Sequence, residues 1–244
     1  MAVAIITGAS RGFGRALAEA LARRGWDLVL DARSAGPLED AAAELRRHGG
    51  TVKAVAGDVA DGGHRVELIA AAWELGGLDL LVNNAGVLGA VPLRPLGAYS
   101  LDDFRTALEV NVVAPLGLLQ EALPLLRDAP AGAVINMSSD AAAEAYGTWG
   151  GYGATKAALD QLSAVLAVEE PGLRVWAVDP GGMRTEMLAA AEPEEDLSGV
   201  PRPEEVVPAF LRLLDVRPAS GRYSAPSLLM DGPPAESPLQ EEVR

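Results

Sequence analysis

The sequence contains no cysteine. That excludes disulfides, thiolate catalysis and cysteine-ligated zinc, and it agrees with a reducing cytosol. Histidine is almost as scarce: there are two, His48 and His64, both in the first third of the chain. Basic residues are in deficit, with 20 Lys and Arg against 34 Asp and Glu and a formal net charge of -14. An acidic surface of this kind repels nucleic acid and anionic lipid, so neither is expected as a partner. No apolar run reaches the length of a membrane span, and no charged stretch precedes an apolar one at the start. The expectation is a cytoplasmic protein with no signal peptide, no membrane contact and no metal site.

What the 244 residues do contain is apolar material, 49% of the chain, with no internal repeat and no clear linker. Short apolar runs suited to buried strands occur at 3–6, 26–33, 51–56, 78–82, 132–137 and 173–178. A seventh, edge strand is possible within 220–230. Helical patterns lie between them. Asp61 reads as the cap of a helix with Val66, Ile69, Ala70 and Trp73 on its buried face. The helical pattern over 101–126 contains Asn111 and Pro115 and should kink near them. Residues 183–203 read as a loop with one short helix, 204–214 as the last helix, and 233–244 as a polar tail. Alternation of this kind predicts an α/β fold in one domain over 1–232, a doubly wound Rossmann-type parallel sheet of six to seven strands with helices on both faces. Ligands of such sheets bind beyond the carboxyl ends of the strands, where Gly8, Arg33, Asp58, Asn84, Ser139 and Pro180 all fall.

The stretch Thr7-Gly8-Ala9-Ser10-Arg11-Gly12-Phe13-Gly14 follows the first strand and opens the first helix. Gly8 can turn the chain tightly, Gly12 lets a pyrophosphate approach the backbone, and Gly14 lets the helix pack near the strand. Free N–H groups and the positive end of the helix dipole then face the anion. The same residues spell Gly8-x-Ser10-x-Gly12, the nucleophile elbow of α/β-hydrolases. That motif needs a histidine base late in the chain, and none exists.

With Asn83-Asn84-Ala85-Gly86, Asn111, Ser139, Tyr152-x-x-x-Lys156, and Pro180-Gly181 with Thr185, the chain resembles the short-chain dehydrogenase/reductase family in its classical form. The resemblance runs from residue 1 to about 232. It implies an oxidoreductase that moves a hydride between a nicotinamide dinucleotide and a secondary alcohol or ketone. Tyr152 would be the proton donor or acceptor, and Lys156 would also hold the nicotinamide ribose. Ser139, at the family's usual spacing ahead of the tyrosine, would position the carbonyl, and Asn111 would keep a kink and a relay water. Gly8, Ser10, Arg11, Gly12, Phe13, Gly14, Asn84, Ala85, Gly86, Pro180, Gly181 and Thr185 would surround the cofactor, with Asp58 and Val59 at its adenine. A homodimer or homotetramer is implied as well, in keeping with helices that are Ala- and Leu-rich on more than one face.

Elementary chemistry adds its own expectations. Tyr152 and Lys156 are one helical turn apart, and an ammonium close to a phenol lowers the phenol pKa. Tyr146, Trp149, Met183 and Met187 are candidates to line a substrate pocket. An acid after the second strand reads a 2′-hydroxyl and a base reads a 2′-phosphate. The strand ends Asp31-Ala32-Arg33, with Asp31 one position early and free to pair with an arginine. Arg33 and Arg11 could clamp the phosphate, so NADP(H) is expected over NAD(H). The alternative function is a catalytically silent NAD(P)-binding sensor or scaffold, against which the intact Ser139, Tyr152 and Lys156 set argues.

Overall fold

A computed structural model describes residues 1–230. The predicted polar tail lies outside the described residues. Seven strands form one sheet in the order β3-β2-β1-β4-β5-β6-β7, and every neighbouring pair is parallel. They are β1 (Val3–Ile6), β2 (Asp27–Ala32), β3 (Val52–Ala56), β4 (Leu80–Asn83), β5 (Ala133–Met137), β6 (Arg174–Asp179) and β7 (Gly221–Ser224). The order reverses between β1 and β4, which opens a crevice beyond their carboxyl ends.

The sheet is buried on both faces, which is why its strands read as nearly continuous apolar runs. Ala4, Ile6, Leu28 and Leu30 face α1 (Gly12–Arg23), α2 (Ala35–Leu45) and, later in the chain, α8 (Pro203–Val216). Val3, Ile5, Val29 and Leu81 point the other way. They meet α3 (Gly62–Glu74), α5 (Ala114–Asp128) and α6 (Gly150–Glu169). Alternate side chains of one strand thus feed two separate cores.

Three local expectations change. Asp61 does cap α3, its Oδ1 accepting from Gly63 N at 2.8 Å, but the buried face is His64, Leu68, Ala71 and Ala72. Val66 is exposed, and Trp73 is 70% exposed. The helix carries apolar residues all round, so periodicity alone did not select the face. The expected kink is a π-helical turn, Glu109–Val113, between α4 (Leu101–Leu108) and α5, with Pro115 in the first turn of α5. Pro115 follows helical residues Val113 and Ala114 and has no N–H to donate back along the chain, which suits the irregular turn just before it. Finally, α8 is not the last helix. After the short α7 (Glu186–Ala191) and α8, the edge strand β7 runs straight into α9 (Ala225–Leu229), where Ser224 caps the turn by accepting from Ser227 N. Among the described residues no helix is long and apolar enough to cross a membrane, and no His, Asp and Glu cluster could hold a metal.

Candidate active site

The glycine turn is fixed by its backbone. Gly8 has φ +66° and Gly12 φ +57°, a region where a side chain is strained. A Cβ on Gly14 would lie 2.5 Å from Asn84 Nδ2 and 2.6 Å from Gly8 O. Asn84 clamps the turn to the end of β4, donating from Nδ2 to Thr7 O at 2.7 Å and to Gly8 O at 3.2 Å. Asn84 therefore serves structure here, while Ala85 and Gly86 continue along the crevice. Phe13 points away from it: its ring packs on Phe210 at 4.4 Å between centroids, leaving only its backbone to face a ligand. Ser10 sits beside the turn, partly exposed.

The end of β2 resolves its two competing residues. Asp31 is 2% exposed. Its Oδ2 accepts from Gly8 N at 3.3 Å and its Oδ1 lies 2.6 Å from His64 Nε2, so its partner is a histidine and not an arginine. Burial pushes its carboxyl pKa up, against the pull of His64. The side chain of Arg33 is exposed, and among the described residues it makes no ion pair. Arg11, also exposed, is paired with Glu186 at the start of α7. Asp58 forms a local turn, its Oδ1 accepting from Ala60 N at 3.0 Å, and Val59 beside it is buried. His64 offers no base to Ser10, because its Nε2 faces Asp31 and its Nδ1 faces Glu67 at 3.9 Å. A hydrolase triad is therefore not assembled.

Across the crevice, α6 presents Tyr152 and Lys156 one turn apart. Lys156 is 4% exposed, and its Nζ donates to Met137 O at 2.6 Å. Burial lowers its pKa from 10.5 to about 8, partly opposed by Asp160. The ammonium lies 5.5 Å from the centre of the Tyr152 ring. Contrary to expectation, the phenol pKa is raised. Burial is the main cause, the charges of Asp179 and Asp140 add to it, and a hydrogen bond with Ser139 opposes it. Desolvation and two carboxylates outweigh the Ser139 hydrogen bond.

Ser139 caps the turn after β5. Its Oγ accepts from Ala141 N at 3.2 Å and donates to Asp140 Oδ1 at 2.9 Å. Its carbonyl accepts from Arg222 Nη2 on β7 at 2.9 Å, while Arg222 Nε donates to Asp160 Oδ2 on α6, also at 2.9 Å. This bridge fixes the serine relative to the tyrosine helix, and no pattern in the sequence announces it. Ser138 is buried, and its backbone N donates to Val178 O at 2.8 Å. Asn111 Oδ1 accepts from Val87 N at 2.9 Å, and its Nδ2 donates to Val87 O at 2.8 Å and Thr155 Oγ1 at 2.9 Å. The π turn thereby fastens the loop after β4 to α6.

Trp149 packs edge-on against Tyr152 at 5.7 Å, within a small cluster that includes Leu88 and Ala191. Tyr146 is exposed, and its hydroxyl donates to Glu144 Oε2 at 2.8 Å and Asp140 Oδ2 at 3.2 Å. Those bonds raise its pKa to about 12, the Glu144 bond first. Met183 packs partly on the core that holds Phe13 and Phe210, whereas Met187 is 39% exposed. Gly181, at φ +71°, donates to Asp179 Oδ1 at 2.9 Å. Burial raises the Asp179 pKa. Thr185 caps α7 by accepting from Leu188 N, and a Cβ on Gly12 would lie 3.7 Å from its methyl. The loop after Pro180 thus reaches back to the glycine turn.

Comparison with known proteins bears on the family and the fold. The family model for short chain dehydrogenases matches residues 2–196. The mouse sepiapterin reductase is 38% identical over 202 residues, covering 78% of this chain and 77% of that protein. The oxidoreductase YciK of Escherichia coli K12 is 32% identical over 219 residues, covering 87% and 85% respectively. A short chain dehydrogenase from Shigella flexneri 2a, solved in complex with NADP, superposes with a TM-score of 0.87 at 30% identity, covering 92% of this chain and 97% of that one. The chain belongs to the short-chain dehydrogenase family and is an oxidoreductase of that family.

Proposed function

We propose that this chain transfers a hydride between NADP(H) and a secondary alcohol or ketone, using Tyr152 as the proton donor or acceptor. The observation that carries the proposal is the state of Lys156. Its ammonium is buried, forms no ion pair among the described residues, and spends one donor on Met137 O. A buried cation with donors to spare fits a vicinal diol such as the nicotinamide ribose. The Gly8 and Gly12 conformations and the α1 N-terminus fit a pyrophosphate.

The bound nicotinamide supplies the hydride, and the protein supplies position and a proton path. Lys156 would donate to the ribose and place positive charge beside the phenol. Ser139 exchanges its bond to Asp140 for one to the substrate oxygen and aligns that oxygen with Tyr152. The Tyr152 hydroxyl then gives its proton to the oxygen during reduction, or takes it during oxidation. Asn111 holds the π turn against Val87 and Thr155, and a water beside that turn would return the proton through Lys156. Asp58 and Val59 would border the adenine, and Pro180, Gly181 and Thr185 the nicotinamide end. Trp149 closes one side of the substrate space with Tyr146, Met183 and Met187, and apolar residues left exposed, such as Val113, Val165 and Val168, serve a homo-oligomer in the cytoplasm.

The preference for NADP(H) rests on the end of β2. Asp31 is turned inward and has its oxygens engaged, which leaves Arg33 to meet the 2′-substituent. Arg11 can join it, since an exposed pair such as Arg11–Glu186 is worth only about 0–1 kcal/mol and yields to a dianion. The test is a panel of ketones and diketones with NADPH or NADH, followed by absorbance of the reduced nicotinamide. Consumption of NADPH supports the proposal. Tight binding without turnover on any carbonyl would favour a silent nucleotide sensor.

A further inference from the structure

Neither the proton path nor the ribose contact uses Asp31 or His64, yet these two form a buried acid–base pair directly beneath the glycine turn. Asp31 is fastened to that turn twice: its Oδ2 accepts from Gly8 N, and its carbonyl accepts from Ala9 N at 2.8 Å. His64, in the first turn of α3, is 5% exposed and lies 2.6 Å from Asp31 Oδ1. The imidazole fills the space beside Gly57, where a Cβ would come within 2.2 Å of Nδ1. Gly57 leads directly into Asp58 and Val59. One side-chain pair therefore links the β1–α1 turn, the end of β2 and the β3–α3 loop.

The charges around this pair create a problem that the imidazole solves. A carboxylate in contact with Gly8 N repels any anion brought to the same turn. Asp58 adds negative charge from the neighbouring loop, and Glu67 lies 3.9 Å from the far side of the imidazole. Burial itself disfavours an uncompensated carboxylate at this place. We propose that Asp31 and His64 are positioning residues for the dinucleotide: the imidazole offsets the carboxylate beneath Gly8 and lets the turn accept a pyrophosphate. The proposal rests on the dinucleotide-binding function of this turn. It places the effect on the part that NADPH and NADH share, in contrast to Arg11 and Arg33.

The test is fluorescence titration of NADPH and NADH against wild type, His64→Gln, Asp31→Asn and the double variant, with thermal unfolding measured in parallel. His64→Gln should raise Kd about tenfold for both nucleotides, because it strips the compensation and leaves the carboxylate. Adding Asp31→Asn should bring both values back to within about threefold of wild type, without restoring thermal stability. Asp31→Asn alone should also stay within about threefold, since a neutral imidazole can accept from the new amide. A double variant that binds no better than His64→Gln, or an affinity loss that merely follows the loss of thermal stability, would overturn the proposal. So would an effect confined to NADPH, which would place the pair at the 2′-phosphate. If His64→Gln does not fold, Asp31→Asn alone decides: strong loss of both nucleotides contradicts charge compensation. Wild type that binds neither nucleotide would instead refute the dinucleotide function on which the proposal rests.

Discussion

The two sides of the crevice are built differently. On the β1–β2 side, order comes from backbone and from buried partners: glycines at positive φ, Asn84 clamped to Thr7 O, and Asp31 facing His64. On the β5–β6 side, the residues that would meet substrate are held by side-chain bonds near solvent. Examples are Ser139 to Asp140 and Tyr146 to Glu144. Bonds of the first kind are costly to break because they leave buried groups unpaired, whereas bonds of the second exchange readily with water or a ligand. The difference teaches that the nucleotide side is preformed and the substrate side is adjustable.

The largest expected effect separates the sides by function. Tyr152→Phe should lower kcat by about 10²–10⁴ while leaving the NADPH Kd within about twofold, because in the proposed mechanism the hydroxyl moves a proton and does not hold the nucleotide. Retained turnover would show that another group supplies the proton. Lys156→Ala crosses the division and should lose both turnover and affinity. Unchanged affinity in that variant would remove its ribose contact.

Next comes the rigidity of the nucleotide side. Gly14→Ala places a methyl 2.5 Å from Asn84 Nδ2 and 2.6 Å from a backbone carbonyl that cannot move aside. It should cost about 1–3 kcal/mol of stability, read by thermal unfolding, together with weaker NADPH binding. An undisturbed melting temperature would mean that the turn is looser than its packing implies.

A pH titration offers a smaller and signed test. Burial holds Lys156 near a pKa of about 8, so its ammonium is present below that pH and lost above it. NADPH affinity should therefore fall as pH rises from about 8 to 9, and Lys156→Met should abolish this dependence. Stability should move the other way. Between pH 8 and 10.5 the unfolded chain holds the proton that the folded chain has released, so this lysine's contribution to stability rises with pH. The smallest effect should be that of Tyr146→Phe, which removes two exposed hydrogen bonds. Stability should change by less than about 0.5 kcal/mol, with any change in catalysis confined to KM.

The sheet was legible because parallel strands buried on both faces leave uninterrupted apolar runs, and because glycine and polar residues punctuate their carboxyl ends. Tyr152 and Lys156 were legible for a related reason, since helical spacing brings residues one turn apart onto one face. What the sequence hid depends on distant contacts. The buried face of α3 was ambiguous because Val66 and Trp73 are as apolar as the residues that pack. The phenol pKa depends on burial and on Asp140 and Asp179, whose proximity no spacing reveals. Arg222 reaches Ser139 across 83 residues, and Asp31 finds His64 across 33, through strand order alone. Asp31, one position early, was expected to pair with an arginine, and it meets His64 instead. The pleat of β2 turns that one position into the opposite face of the sheet.

In the proposed function the rim holds NADP(H) through Arg33 and Arg11, with Asp31 facing inward. The most direct measurement is a titration of NADPH and NADH against wild type and the Arg11→Ala, Arg33→Ala double variant. Wild type should bind NADPH more tightly, and the double variant should weaken NADPH by at least about tenfold while changing NADH by less than about threefold. Wild type that prefers NADH, or a double variant that weakens both nucleotides equally, would contradict the account.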